Sequence, residues 1–432
     1  MTTPGFGTIP FGTGPFGLGG GAEPEPPPPP VVVERVDDFT AQHTWTAYAR
    51  NSTYKPTVAL PIIGAQLVVR HVGVGSAVLT TSYTRERWDA LQPGAGLILY
   101  RDGRVEFSGP VRAVEVALDE SGGRATIQVE AKSDEQVLAE RLVFPDPLRA
   151  EDDQTVNDYW KYTGAASGAM RRLISDQAGP TCHAGRRVTG LTLAPDPNVG
   201  VSRSWTGLFA SGGNLLGALG QMSVASGANL GVRVTGSEGA LVASVYEPRD
   251  MSEALKFSVG LRNLRGFSYR LAAPTVTHAV AAGQGDLKAR MRRAARTTDP
   301  LALEWRMQSW AYVDRRDTAD AAELVQAAQD AVTEGAGTIE LTLSLSDSQA
   351  ASYGADWGLG DRIRVFIGFP DEPSIAEVAE VVREIAFEVG ADGSEKITPA
   401  VGTADATALP SSPTQRQLRA VGLRLSALES NK

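Results

Sequence analysis

The chain has 432 residues, 42% hydrophobic and 21% charged, with a net charge of −9, enough apolar surface for two or three ordinary domains. That acidity excludes a dedicated nucleic-acid binder, which needs clustered Lys and Arg against phosphate, although an acidic wall suits a conduit that DNA passes without sticking. A single cysteine, Cys182, excludes an intrachain disulfide. The apolar run from Val58 to Val69 is broken by Pro, Gly and Gln, too short to span a bilayer. No positive segment leads into an apolar one near the start, so synthesis in a cytoplasm is expected.

Gly and Pro fill 17 of the first 30 positions. A Pro-Phe-Gly theme recurs there, followed by the run Pro26–Pro30, which predicts an extended polyproline-II spacer. With almost no aliphatic residues, segment 1–30 cannot bury enough surface to fold alone. Two readings stand: a leader without structure, or an arm whose Phe6, Phe11 and Phe16 fill pockets on a neighbouring subunit.

From Val31 to about Phe144 the pattern is mostly β. Ile62–Arg70, Leu97–Tyr100, Val105–Val116 and Ala125–Ala131 read as strands, and Asp102-Gly103 supplies the positive φ angles of a type I′ hairpin turn. Ser133 with Gln136 predicts a capping box for a short helix carrying Val137, Leu138 and Leu142. Residues 146–230 turn helical. Ser167 is expected to cap a helix bearing Met170, Leu173 and Ile174, closed by Gly179-Pro180. Leu215, Leu216, Leu219 and Met222 mark a second amphipathic helix.

β patterns return at Leu241–Tyr246, Gly266–Leu271, Val276–Ala282 and Leu301–Trp310. A helix with Ala321, Leu324, Val325, Ala328 and Val332 on one face follows, with Asp317 or Thr318 as its N-cap and Gly335 past its end. Thr338–Leu345, Arg362–Ile367 and Val378–Val389 are strands, and Ala391-Asp392-Gly393 turns into a last one at Lys396–Val401. Residues 402–413 read as a linker. In 414–432, Leu418, Val421, Leu425 and Leu428 are spaced three, four and three, the seam of a coiled coil. About two heptads are marginal in isolation, so this helix is expected to form against partners or folded back on its own domain.

The class is therefore α+β, mainly β: β-rich regions at 31–145 and 231–401 flank a small helical α/β insert at 146–230, with an N-terminal arm at 1–30 and a C-terminal helix at 414–432.

Patterns for chemistry are weak. Gly12–Gly17 matches GxGxxG but contains a proline, follows no strand and opens no helix, so the dinucleotide reading fails on context. Gly283-Gln284-Gly285-Asp286 ends a strand and reads as a turn, or as an anion cradle. Cys182-His183 are neighbours in a turn, whereas a cysteine nucleophile needs a base across a pocket. His43, His71, His183 and His278 show no metal-ligand spacing, and neither HExxH nor GxSxG occurs. The carboxylates of Glu151-Asp152-Asp153 and of Asp314–Asp320 fit solvated faces better than acid/base pairs or a hard-cation site. Asn51-Ser52-Thr53 fits a glycosylation sequon, without meaning in a cytoplasm. No catalytic, metal or cofactor residues are expected.

Leu91–Gly94, Leu97–Gly103 and Phe107–Val111 form one group of motifs, continued by Glu140–Pro147 and Tyr246–Asp250. Leu264–Tyr269, Ala273–Thr275, Gly283–Gly285, Val313–Asp317 and Tyr353–Arg362 complete the series. In this order, over about 35–402, they resemble the gene-product-thirty-seven-like siphovirus tail proteins of phages infecting actinobacteria. The resemblance implies a structural tail-tip (baseplate hub) component of the virion that joins the tail tube to distal, fibre or spike proteins. It further implies two β-barrel-like domains per chain, so that a homotrimer presents six barrels to a six-fold tube, and it brings no catalytic residues. Specific nucleic-acid binding and membrane insertion are not expected. The alternatives are a six-fold distal adaptor or carbohydrate-binding fibre base, and a tail-associated peptidoglycan hydrolase. The last requires a deep pocket with convergent polar groups. The arm and the C-terminal helix lie outside the resemblance.

Overall fold

A computed structural model describes residues 43–118, 124–208, 214–345, 351–369 and 374–402. The arm with Phe6, Phe11 and Phe16, and the segment with Leu418, Val421, Leu425 and Leu428, lie outside the described residues.

The first β-rich stretch supplies seven strands: β1 (Trp45–Arg50), β2 (Pro56–Ala59), β3 (Gly64–Arg70), β4 (Ser76–Ser82), β5 (Gly96–Arg101), β6 (Arg104–Leu118) and β7 (Ala125–Lys132). A short helix, α1 (Arg85–Ala90), sits between β4 and β5. The β5–β6 turn has Asp102 at φ 50° and Gly103 at φ 75°, the two positive angles that a type I′ turn demands. A second short helix, α2 (Gln136–Ala139), follows, but no side chain caps it. Ser133 faces away instead and accepts from the Gly75 amide at 2.7 Å, because a tertiary donor competes for its hydroxyl.

Strand β8 (Tyr159–Ala165) runs into α3 (Ala166–Gln177), and β9 (Leu191–Leu193), β10 (Ser202–Leu208) and α4 (Leu215–Ala225) come next. Within the span 146–230, expected as a helical α/β insert, β8 and β10 pair antiparallel. Ser167 lies inside α3 rather than at its cap, donating to Asp196 at 2.7 Å and accepting from the Val199 amide at 2.9 Å. Helix α4 buries Leu215, Leu216, Leu219 and Met222 as its spacing predicts. These elements share one apolar cluster with the hairpin β11 (Gly231–Ser237) and β12 (Ala240–Tyr246).

The remaining elements are β13 (Lys256–Ser258), β14 (Leu264–Ala272), β15 (His278–Ala282), β16 (Arg292–Arg296), α5 (Pro300–Glu304), β17 (Trp310–Asp314), α6 (Ala321–Glu334), β18 (Thr338–Leu345), β19 (Arg362–Ile367), β20 (Ala376–Gly390) and β21 (Glu395–Gly402). The strand expected over Leu301–Trp310 is instead α5 and a connection into β17. Asp320, not Asp317 or Thr318, caps α6 by accepting from the Ala322 amide at 2.7 Å. Gly335 ends α6 at φ −88°, so positive φ is not what selects it. A Cβ there would lie 2.4 Å from Val276, and close approach of the chain is the reason.

Strands from both β-rich stretches join one sheet, in the order β14-β18-β21-β20-β3-β4-β7-β6-β5-β1-β2, with β19 on β20 and β13 on β19. The mainly β, α+β class holds, but the sheets do not close into barrels. The long strands β6 and β20 each change partner along their length: β6 pairs with β5 and then β7, β20 with β19 and then β3 and β21. Register shifts at Val111/Ala113 and Val382/Glu384 accompany these changes, since an extra residue bends a strand enough to serve two neighbours. One core lies beneath. Trp45, Phe387, Tyr353, Trp357 and Phe257 form a chain of edge-on ring contacts with centroids 5.2–6.1 Å apart. Among the described residues no helix is long and apolar enough to cross a membrane.

Candidate functional site

Alternation along β11 puts Val232 and Val234 into the apolar cluster and turns Arg233 to the opposite face. There it meets the start of β6. Its guanidinium donates to the Glu106 carbonyl at 2.6 Å. The Glu135 carboxylate accepts from the Val234 amide at 2.8 Å, and the Tyr353 hydroxyl donates to Glu106 at 2.6 Å. Burial pushes the carboxyls of Glu106 and Glu135 up, with Arg233 opposing that rise. Burial also works to lower Arg233, but the two carboxylates hold it above its ordinary value. Burial, then Glu106, raises Tyr353.

Beside this cluster sits a buried ion pair. Arg50 at the end of β1 forks onto Asp134 at 2.8 and 2.5 Å. Asp134 also accepts from Ser108 at 2.7 Å and from the Gly236 amide at 2.8 Å. A Cβ on Gly236 would lie 2.1 Å from the Arg50 guanidinium, so only glycine lets β11 approach this closely. Each charge is hydrogen-bonded, which a buried ion pair requires if it is not to cost stability.

Two further polar joints tie distant segments. Arg101 forks onto Glu395 at 2.9 and 2.5 Å, the Trp45 indole donates to the same carboxylate at 2.7 Å, and Arg101 also reaches the Tyr353 carbonyl at 3.1 Å. His71, fully buried at the end of β3, lies 2.7 Å (Nε2) from the Asn229 carbonyl and 2.9 Å (Nδ1) from the Tyr246 hydroxyl. Those partners fit a neutral ring with the proton on Nε2, where Tyr246 donates to Nδ1. Burial pushes the His71 pKa down to about 4.

Perturbed carboxyls in a cleft are the ordinary mark of a reactive centre, so space decides. The cleft lined by Arg70, Glu106, Ser108, Ser133, Glu135 and Arg233 has room for about one water molecule. That is far below what a ligand pocket encloses. Its chemistry is that of a joint between β1, β6, β11 and the Tyr353 segment.

The residues singled out in the sequence do not converge. Cys182 is buried and its Sγ lies 3.0 Å from the Gly179 carbonyl; burial raises its pKa, the wrong direction for a nucleophile. His278 lies on β15, its Nδ1 2.9 Å from the Thr277 hydroxyl, and stacks on Trp310 with centroids 4.5 Å apart. The Gly283 and Gln284 amides are spent on the Met291 and Thr318 carbonyls at 2.9 and 2.8 Å, leaving neither for an anion. Asp153 pairs with Arg149, and Asp317 with Arg315. Among the described residues no group of His, Cys, Asp and Glu is arranged to hold a metal ion. Arg233, Glu106 and Arg50 carry no sequence signal because a charged residue alternating with apolar ones reads as a solvent face, and Asp134 and Glu135 carry none because they lie in a polar turn between β7 and α2.

A family model described as siphovirus ReqiPepy6 Gp37-like protein matches residues 62–403, most of the chain. The chain belongs to that family. The match begins just before β3 and ends just past β21, taking in all the polar joints except their β1 members. No curated protein matches the chain in sequence. Among solved structures, the chain is similar to the tail protein from Neisseria meningitidis MC58 at 12% identity, covering 83% of this chain and 96% of that one, with a TM-score of 0.49. For the prophage MuSo2 43 kDa tail protein from Shewanella oneidensis the figures are 10%, 83%, 98% and 0.49. Prophage tail protein gp18 from Listeria monocytogenes EGD-e gives 10%, 88%, 99% and 0.49.

Proposed function

We propose that the protein is a structural subunit of a phage tail, located at the tail tip, where it acts as a hub between the tail tube and distal, fibre or spike proteins. Membership of a siphovirus family across 62–403 carries this reading. The interior supports it: charged groups are used to lock strands together, and the polar cleft beside Arg233 has room for little more than a water molecule. In this role the chain binds and assembles without catalysis, as a homotrimer. The arm with Phe6, Phe11 and Phe16, and the seam of Leu418, Val421, Leu425 and Leu428, are proposed as contacts to neighbouring subunits.

A symmetry-resolved image of the assembled virion tests the reading, with three copies expected at the tail tip. Six copies in a ring would make the chain a distal adaptor, and its absence from the tip would overturn the proposal. Purified protein is expected to leave host cell walls intact. Release of wall fragments, lost on mutating a single acidic residue, would show that the chain is a hydrolase.

A further inference from the structure

Among the described residues, the sheet β16-β15-β17 is covered by a helix on one side only. Ala279, Ala281, Leu324, Ala328 and Val332 pack it against α6. Strand register sets Arg296, His278 and Trp310 in one row of the opposite face, and Arg292, Ala282 and Asp314 in another. Between them lies Tyr312, so two large aromatics stand side by side, Trp310 61% and Tyr312 59% exposed. Both are held in place: His278 stacks on Trp310, and Arg290 donates to the Tyr312 hydroxyl at 2.6 Å. The stretch Lys288–Arg296 carries five basic residues and no acidic one, within a chain of net charge −9. Exposed Trp, Tyr and Arg on a pre-ordered face is the composition of binding hot spots.

A second surface has the complementary character. The loop from Leu148 to Asp158 leaves Leu148 74% and Val156 62% exposed, among the exposed carboxylates of Glu151, Asp152, Asp153 and Asp158. It is rigidly tied despite this. The buried Asp146 carboxylate accepts from the Val156 and Asn157 amides at 3.1 and 3.2 Å. Gln154 donates to the Ala150 carbonyl at 2.8 Å, and Arg186 to the Pro147 carbonyl at 2.6 Å. A loop braced from inside while aiming aliphatic side chains outward has already met the ordering cost of docking.

We propose that these surfaces meet between copies of this chain: the acidic loop Leu148–Asp158 of one copy seats on the arginine-bearing aromatic face around Trp310 and Tyr312 of the next. The proposal rests on the reading of the chain as an assembling subunit, not on a particular number of copies. Leu148 and Val156 cover the two rings, while Asp152 and Asp158 face Arg292 and Arg296. The contact is heterologous, so repeated copies close into a ring or extend.

Sedimentation equilibrium of the full chain tests this, with circular dichroism to confirm that each variant is folded. The unmodified chain self-associates, and association weakens with salt. Arg292→Glu/Arg296→Glu weakens it roughly tenfold or more, as does Asp152→Arg/Asp158→Arg, because like charges then face each other. All four substitutions in one chain restore it, since the signs are again opposed. A chain that stays monomeric at high concentration, association indifferent to either reversal, or a folded quadruple variant that does not recover would each overturn the contact. Virions that carry the double variants at the tip in normal number would overturn it too, while leaving the tail-tip reading intact.

Discussion

His71 is neutral and sealed in the folded chain, with a pKa of about 4 against an ordinary value of about 6.5 once unfolded. Above the unfolded value neither state binds the proton, and the fold loses nothing. As pH falls from about 6.5 towards about 4, the unfolded chain takes up a proton that the folded chain refuses, so stability drops by up to about 3 kcal/mol. His71→Gln removes that term: urea titrations at pH 7 and pH 4.5 should show a smaller acid loss in the variant, and equal losses would contradict the assignment. Asp134 makes a different case, because it is charged, buried and fully partnered. Asp134→Ala strands Arg50 without its counterion and should cost about 3–5 kcal/mol. The double variant Arg50→Met/Asp134→Leu should cost much less than the sum of the two single losses; strict additivity would mean that the pair is not coupled.

Individual elements follow from the sequence where their signal is local. Asp102-Gly103 makes the hairpin turn, α4 buries its four predicted residues, and β19 occupies the span that its alternation marks. Caps do not follow from the local sequence, since Ser133 and Ser167 satisfy the local rule yet spend their hydroxyls on tertiary partners. Helix α6 shows how narrow the margin is: Asp317, Thr318 and Asp320 all suit a cap, and only Asp320 takes the role. Asp320→Ala should therefore cost about 1 kcal/mol, while Asp317→Ala should act only through Arg315. Chemical denaturation of the two variants separates these outcomes.

Across the whole molecule, β20 is the strand on which the two β-rich stretches depend. It pairs with β3 from the first and with β19 and β21 from the second, and its Phe387 packs on both Trp45 and Tyr353. Phe387→Ala should cost about 3–5 kcal/mol. Because one sheet is shared, amide exchange should accelerate in β4 and β7 as well as in β19. Loss confined to β19 and β21 would show that the stretches unfold separately.

Periodicity and turn chemistry made most strands, the three long helices and the mainly β class legible from residues alone, because those signals act over a few positions. The order of motifs pointed to the family in the same way. Pairing was not legible. Nothing in β3 states that Val69 will lie beside Ile385, since any alternating strand offers the same edge of donors and acceptors. Only the packing of side chains beneath the sheet selects among such partners. The buried charges of Arg233, Glu106 and Arg50 were hidden for a related reason. A charged residue in an alternating strand looks solvent-facing until another segment covers it, and that covering is decided by the tertiary structure.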